Sequence, residues 1–507
     1  MAITIEDMAV FCKKKGFVYP SSELYGGFAG FFDYGPLGVE LKNSIKQSFW
    51  KRFVQSRDDI AGIDGAIIAN PKIWEASGHV ACFEDVLVED IKTKERFRAD
   101  HLIEQALGIK AEGLSAEELA KIIKENKLKS PKGNDLTEPK KFNLMFETNV
   151  GPVSGNPAYL RPETAQLIFA NFKLVQENSR LKLPFGIAQI GKAFRNEISP
   201  RDFLFRSREF EQMEIEFFTH PAKTDDCAFY DSAKGTELNV LTAEMQRKKQ
   251  EHKAMKIDDL YKKKLVSKWH AYWLAEFYQW FLDLGIKKEN LRLREHLKDE
   301  LAHYAGACFD IEYKFPFGWK EIHGNADRKQ FDLEQHSKHS KKDITYFDED
   351  TKEKVVPYVA SEPSQGVDRA FLAFLFDAYN DDKERGNIVL KLNPKLAPIK
   401  AGVFPLVNKL NDEAKKIFNE LKAEFNCVFD KSGSVGRRYA RADELGIPYC
   451  VTVDFDTLDD KSVTIRDRDT TKQVRVKITE LKDKLSRLLN SEIKLAEAGK
   501  EVTAKAE

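Results

Sequence analysis

The sequence predicts an α+β protein in which a larger mixed domain, residues 1–385, precedes a smaller α/β domain, residues 388–489. Three observations predict it. Residues 183–218 hold two apolar runs joined by the polar stretch NEISPRD, where Pro200 and Asp202 mark a turn, so the unit reads strand-loop-strand. Residues 36–54 repeat Leu41, Ile45, Phe49 and Phe53 every four positions, the period of an amphipathic helix. Beyond a charged, Gly-containing linker at 381–387 (DDKERGN), strand and helix patterns alternate through 401–406, 411–425, 449–454, 463–468 and 474–478. That alternation argues a separate α/β unit of about a hundred residues.

The remaining elements follow in chain order. The apolar segment 63–70 closes on Pro71 and reads as a strand. Residues 105–140 are lysine-rich with a short helical pattern and read as a surface insertion. A helix is expected over 164–177, with Pro162 and Glu163 suited to its start and Thr164 to its cap. Residues 223–300, mostly helical and charged, read as a second insertion. A strand is expected at 355–360, then a buried helix at 366–378, apolar on most sides. From 490 to 507 the chain becomes a charged tail and is expected to be disordered.

Composition narrows the function. The 81 basic and 81 acidic residues cancel, so a nucleic acid has to be held by local basic patches rather than by overall charge. Six cysteines stand singly with no C-x-x-C pair, which fits a reducing compartment and gives no zinc ribbon. Residues 1–16 have neither a signal-peptide core nor an Arg/Ser-rich transit pattern, and the most apolar run, 370–376, is far too short to span a bilayer. A cytoplasmic protein without a membrane partner is expected. His323, His336 and His339 have no cysteine or carboxylate set in zinc spacing, so they read as surface histidines and no zinc is expected.

The chemistry concentrates in the run GKAFRNEISPRDFLFRSREFEQMEIE, residues 191–216. Arginines and carboxylates alternate there on two adjoining strands, where period-two geometry gives one face the charge. Arg195, Arg206 and Arg208 present planar forks suited to phosphates. Glu197, Glu211 and Glu214 can hold an ammonium, an adenine amino group or a metal. The plainer reading is a solvated, salt-bridged hairpin. In YVASEPSQGVDRAFLA, residues 358–373, Gly366 permits close backbone approach and Arg369 opens the buried helix. The helix dipole disfavours an arginine there, so Arg369 either meets a bound anion or closes a buried Arg–Asp pair.

These runs resemble motifs 2 and 3 of class II aminoacyl-tRNA synthetases, and the 36–54 helix with the strand ending at Pro71 resembles motif 1. YGPLGVELKNSI, ASGH, LRPETAQ, FGIAQIGKAFRNEISPR, REFEQMEIE, VPYVASEPSQGVDR and LKLNPKLAPIKAGVFPLV are similar to the dimeric glycyl-tRNA synthetase family, in order from about residue 25 to residue 489. The resemblance implies a class II antiparallel sheet flanked by helices, plus an anticodon-binding domain. It implies activation of glycine with ATP and Mg2+ bound with the ATP, transfer to the 3′ end of tRNA-Gly, and a homodimer.

Residue by residue, the resemblance puts Arg195 on the α-phosphate, with Asn196 beside it and Glu197 toward the adenine amino group. Phe205, Arg206, Ser207, Arg208, Glu209 and Phe210 would line the nucleotide, Phe210 stacking on adenine and Arg208 near the γ-phosphate. Arg369 would reach the γ-phosphate from the other side, with Gly366, Val367 and Asp368 as wall and Glu321 and Ile322 as a further ATP pair. Arg195 and Arg369 are the implied catalytic residues. Glycine would sit against Glu163, Glu214, Glu362 and Ser364, with Arg98 and Arg328 on the substrate side. The neighbours Phe210, Glu211, Gln212, Met213, Pro363, Gln365 and Gly366 belong to the same implied glycine-binding stretch. A zwitterion without a side chain offers only its charges, so clustered carboxylates carry recognition and larger amino acids are excluded by size. In the C-terminal domain, Arg437, Arg438, Tyr439 and Arg441 pair positive charge with an aromatic ring and suit tRNA; a solvated helix start is the alternative.

Overall fold

The computed structural model describes residues 3–111, 113–152, 155, 157–301 and 305–502. Its centre is a nine-stranded sheet. In chain order the strands are β1 (Ile60–Ile63), β2 (Phe185–Phe194), β3 (Glu209–Thr219), β4 (Glu237–Leu241), β5 (Lys253–Lys256), β6 (Leu291–Glu295), β7 (Ala307–Phe315), β8 (Gly318–Asp327) and β9 (Tyr358–Gly366). Across the sheet they run β5-β4-β6-β7-β8-β9-β3-β2-β1. From β6 to β2 every pairing is antiparallel, and one parallel pairing lies beyond at each side, β4 on β6 and β1 on β2.

Four helices fix the sheet's position: α1 (Pro36–Trp50), α2 (Ala165–Ser179), α3 (Lys268–Asp283) and α4 (Val367–Ala378). Pro36 sits in the first turn of α1, where its missing N–H costs nothing. Leu41, Ile45 and Phe49 form the buried stripe of that helix, and one π-turn, Lys51–Gln55, prolongs it so that Phe53 also faces inward. Phe53 stacks on Phe277 of α3 with ring centroids 4.2 Å apart. Strand β3 divides its side chains between the two faces, because successive Cβ atoms point oppositely. Met213, Ile215 and Phe217 enter the main core with α3 and α4, whereas Phe218 enters a second core with Phe169 and Phe172 of α2. The even-numbered face of β3 is therefore the face that α2 covers.

Several sequence expectations need correction. Residues 223–300 are no surface insertion: they supply β4, β5, β6 and α3, whose Trp269, Trp273, Phe277 and Trp280 are all buried. Their charges lie mainly in loops and edge strands, and α3 itself carries only Lys268, Glu276 and Asp283. The strand expected over 63–70 ends at Ile63, and beyond it only Ile68 makes a bridge, to Leu160. The 381–387 linker is a hairpin, Tyr379–Asp382 against Asn387–Leu390. The lysine-rich 105–140 stretch belongs to a lobe that starts earlier. Strands Glu84–Glu89, Arg96–Arg98 and Lys140–Asn143 and two helices enclose Val88, Ala99, Leu102, Ile103, Leu119 and Ile123.

The C-terminal unit has its own core around a six-stranded sheet. Its strands are β10 (Ala401–Pro405), β11 (Cys427–Phe429), β12 (Tyr449–Val453), β13 (Ser462–Asp467), β14 (Gln473–Lys477) and β15 (Lys500–Glu501), in the order β11-β10-β12-β13-β14-β15. Strand β15 corrects the tail expectation, since Val474 and Arg475 of β14 pair with Glu501 and Lys500. Residues 490–502 are thus part of this unit, and 503–507 lie outside the described residues. Arg385 of the hairpin holds the two units together, donating to the Arg468 carbonyl at 2.7 Å and the Asp469 carbonyl at 2.8 Å. No described helix is long and apolar enough to cross a membrane.

Candidate active site

The pocket opens where β3, β9, β8 and the loop between β2 and β3 meet, and arginines line its outer part. Arg195, on the residue after β2, donates from Nε to the Pro162 carbonyl at 3.1 Å, and its guanidinium lies between the rings of Phe83 and Phe210 at 5.5 and 5.3 Å. Arg369, on the first turn of α4, covers the Phe205 ring at 4.5 Å and pairs with Glu321 at 3.0 Å. Burial alone would raise the Glu321 carboxyl, but Arg369, then His296 and Arg195, outweigh it and hold it below its ordinary range. Glu197 is buried with Arg206, Nε to carboxylate 2.7 Å. Arg208 donates to the carbonyls of Glu197 at 3.0 Å and Ala29 at 2.9 Å. Ser207 is buried and bonded to the Glu209 carbonyl at 3.0 Å.

Alternation along β3 and β9 decides which expected residues share the site. Phe210, Gln212 and Glu214 share one face of β3 with the deeper Glu216, and on β9 Ser364 stands opposite Glu214. Gln212 reaches Ser364 Oγ at 3.3 Å. Glu209 and Glu211 point the other way: Glu209 pairs with Lys192, and Glu211 with Lys42 and Lys46, each at 3.1 Å. Met213, Ile322 and Val367 are in the main core, and Gln365 turns back to the Ile322 carbonyl at 2.9 Å. Pro363 is buried in β9, whereas Asn196 contributes a backbone bond to Leu144 at 2.7 Å. Asp368 borders the pocket, yet its carboxylate is held by Lys42 at 3.1 Å, by Tyr34 and by the Glu211 amide at 2.7 Å. Arg98 belongs to the small lobe's edge, pairing with Asp100 at 2.5 Å and Asp85 at 3.2 Å. The side chains of Glu209, Glu211, Met213, Ile322, Val367 and Gln365 are thus withdrawn from the substrate roles expected of them.

Next to the pocket lies an acidic cluster, most of it buried. Glu163 lies 3.4 Å from His79 Nε2 and accepts from Gln166 at 3.0 Å. Thr164, expected as a helix cap, makes no cap bond; its hydroxyl donates to the buried Glu214 carboxylate. Arg328 is 3% exposed and donates to Asp332 at 2.8 and 2.7 Å and to Glu362 at 2.7 Å. One carboxylate oxygen from each of Glu214, Glu216 and Glu362 lies within 4.8 Å of the others. Burial raises Glu214, with Glu163 adding to it, and pushes Glu362 up to about 8 against the pull of Arg328. Burial raises Glu163 too, but His79, Arg328 and Gln166 outweigh it and hold it below the usual carboxylate range.

Sequence reasoning passed over His79, Asp332 and Glu216. The Glu214/Glu216 spacing of two, which puts both on one strand face, and the Arg328/Asp332 spacing of four, which suits a helix start, were the available signals. His323 and His336 are buried rather than on the surface. His323 stacks on Phe277 at 4.4 Å and His336 Nε2 meets Gln166 at 2.9 Å.

The C-terminal basic cluster also divides. It lies on α5 (Val435–Glu444), where Arg438 is buried and its guanidinium donates to the carbonyls of Pro405, Leu406, Gly433 and Ser434. Tyr439 is anchored to Thr452 through its hydroxyl at 2.6 Å, with the Arg466 guanidinium 4.7 Å from its ring. Arg437 is exposed, and so is Arg441, which pairs with Asp430 at 2.6 Å. Arg438 is therefore a structural residue of this unit, not an available RNA contact.

An antiparallel sheet carrying motif 2 on β2–β3 and motif 3 on β9–α4 defines a class II aminoacyl-tRNA synthetase. Residues 400–488 match the family described as "Anticodon binding domain". Two solved structures share the fold. A Cryptosporidium parvum prolyl-tRNA synthetase is 15% identical, with a TM-score of 0.57 over 96% of this chain and 77% of that one. A threonyl-tRNA synthetase RNA-binding domain from the same organism is 16% identical, with a TM-score of 0.59 over 94% and 97%. Among curated proteins, "Glycine--tRNA ligase" of Acetivibrio thermocellus is 49% identical over 94% of this chain and 97% of its own length. That of Caldanaerobacter subterraneus subsp. tengcongensis is 47% identical over 97% and 99%. The chain belongs to the glycine–tRNA ligase family.

Proposed function

We propose that this chain activates glycine with MgATP and transfers it to the 3′ end of tRNA-Gly. One observation carries the reading: the arginine-lined pocket of Arg195 and Arg369 is followed, on the same face of β3 and across from it on β9, by the buried carboxyls Glu214 and Glu362, with the half-buried Glu163 beside them. Such a pocket takes a polyphosphate outside and an ammonium inside. The glycine carboxylate is its own nucleophile. Its oxygen attacks the α-phosphorus and the bond to the pyrophosphate oxygen breaks, which leaves glycyl-adenylate and pyrophosphate. A terminal tRNA hydroxyl, the 3′ one in the class II reading, then attacks the glycyl carbonyl carbon and AMP leaves. No protein nucleophile is required, so the residues position the groups and stabilise charge.

In this reading Arg195 meets the α-phosphate, and Arg369, held over Phe205, meets the terminal phosphates. Phe210 lies on the same side of β3 as the pocket and offers its ring to adenine. Phe210→Ala is expected to raise the KM for ATP about 10-fold, since base–aromatic stacking contributes about 1–3 kcal/mol, with the KM for glycine little changed. Initial rates of pyrophosphate exchange at varied ATP check it. The glycine ammonium sits among Glu163, Glu214, Glu362 and Ser364, with Arg328 orienting Glu362.

Residues up to about 385 carry this chemistry, and the unit from 388 to 501 reads the anticodon, with Arg437 and Arg441 as the cations open to RNA. A homodimer is supported by apolar side chains left exposed before and on α1: Leu24, Tyr25, Phe28 and Val39. The direct test is ATP–pyrophosphate exchange with glycine, alanine, serine and no amino acid. Exchange with glycine alone is expected; exchange with none, despite ATP binding, leaves an accessory RNA-binding role.

A further inference from the structure

Beneath the ammonium site lies a carboxyl group to which neither the fold nor the reaction above gives a task. Glu216 is 0% exposed, and neither of its carboxyl oxygens has a hydrogen-bond partner among the described residues. The register that pairs Glu214 with Ser364 and Phe217 with Ser361 sets Glu216 opposite Glu362 on β9. Like charges directly opposite on neighbouring strands repel, and an unpaired buried carboxylate is costly, so this pair does not carry two negative charges in the resting protein. Its surroundings make the imbalance larger. Glu214 on β3, Glu163 at the start of α2, Asp332 on the Phe331–Ser340 helix and the Cys308 thiol on β7 all face the pair, with Arg328 as the nearby cation.

We propose that glycine enters this site by exchanging its ammonium for a proton of Glu362, with Glu216 staying a neutral acid that supports the carboxylate so formed. The O–H bond of the Glu362 carboxyl breaks, the proton leaves to solvent, and the electron pair remains on an oxygen that accepts from the ammonium. Glu216 keeps its own proton because burial, with the adjacent Glu362, holds it well above the ordinary carboxyl range. It is a positioning residue, acting through Glu362. Because binding releases a proton, affinity for the ammonium rises with pH and levels off only above about pH 8, as Glu362 becomes ionised in the free protein. An ordinary exposed glutamate would show no such dependence above pH 6.

The proposal rests on glycine being the substrate, and the experiment separates the two. The full chain is titrated calorimetrically at pH 7 with glycyl-sulfamoyl-adenosine, an unreactive stand-in for glycyl-adenylate, in buffers of differing ionisation enthalpy. Release of about 0.5–1 proton per site is expected, and none with the same compound lacking the glycyl group. Glu216→Ala should weaken binding about 10- to 100-fold, by removing the hydrogen bond that the Glu216 acid would donate to Glu362 once that group ionises on binding. Glu216→Gln, whose amide also donates, should recover most of that and match or exceed the natural chain in Tm at pH 8. A chain that exchanges pyrophosphate with glycine yet releases no proton overturns this inference and leaves the activity standing. A chain without glycine-dependent exchange overturns the activity first. Glu216→Gln binding as poorly as Glu216→Ala, with ATP binding intact, means an ionised Glu216 and ends its part in the proposal.

Discussion

Arg195→Ala is expected to lower glycine-dependent ATP–pyrophosphate exchange by about 10²- to 10³-fold, the usual consequence of removing a preorganised donor to developing charge. The protein should remain folded. Arg195 is partly exposed, and the side-chain hydrogen bond it makes among the described residues is one Nε contact to the Pro162 carbonyl at 3.1 Å. Phe83 and Phe210 would lose the cation near their rings, a contribution of about 0.5–1 kcal/mol each at sites open to solvent. Arg195→Lys keeps the charge but not the planar fork, so its rate should fall between the natural chain and the alanine variant. Exchange within threefold of the natural rate in Arg195→Ala, with an unchanged melting profile, would remove this arginine from the chemistry.

Arg328→Ala is expected to act through stability as strongly as Arg195→Ala acts through rate. The Arg328 guanidinium is buried, donates twice to Asp332 and once to Glu362, and lies 5.3 Å from the Phe169 ring centroid. Removing it leaves the Asp332 carboxylate and the Glu362 carboxyl buried without their guanidinium partner, and breaking a buried pair from one side costs about 3–5 kcal/mol. The pH sign follows. Glu362 already ionises only near 8 in the native protein, and without Arg328 that value rises further. The native state then binds more protons than the unfolded chain over a wider range, so stability falls as pH rises between the unfolded and folded values. The deficit in Tm should therefore be larger at pH 8 than at pH 5.5. Differential scanning calorimetry at both values checks it; an equal deficit would assign the loss to packing on Phe169. Glycine KM should rise as well, because Glu362 loses the group that orients it.

Much of this protein was readable along the chain. The four-residue period of α1, the two strands of the 185–219 hairpin and the alternation after 400 need only neighbours in sequence, because helix and strand periodicities are set by backbone geometry. The motif residues Arg195, Phe205, Phe210, Ser364 and Arg369, far apart in sequence, line one pocket. Other expectations failed for identifiable reasons. The charged loops of 223–300 masked α3, a core helix whose partners are strands distant in sequence. The lysine- and glutamate-rich tail looked too polar to order, yet a two-residue strand on β14 suffices to fix it.

The division runs through the site itself. The sequence determined the inventory: which strands form, that arginines and glutamates alternate on them, and that the chain has the residues of a class II synthetase. Which of those residues act together depends on how distant strands pair and pack. Strand alternation turned Glu211 and Met213 away from the pocket and Glu214 and Glu216 toward it, and the β3–β9 register set Glu216 against Glu362. Burial then decided which carboxyls keep their protons. The reason is physical: local patterns depend on bonded geometry and reach a few residues, whereas register, facing and desolvation depend on strands brought together across more than a hundred.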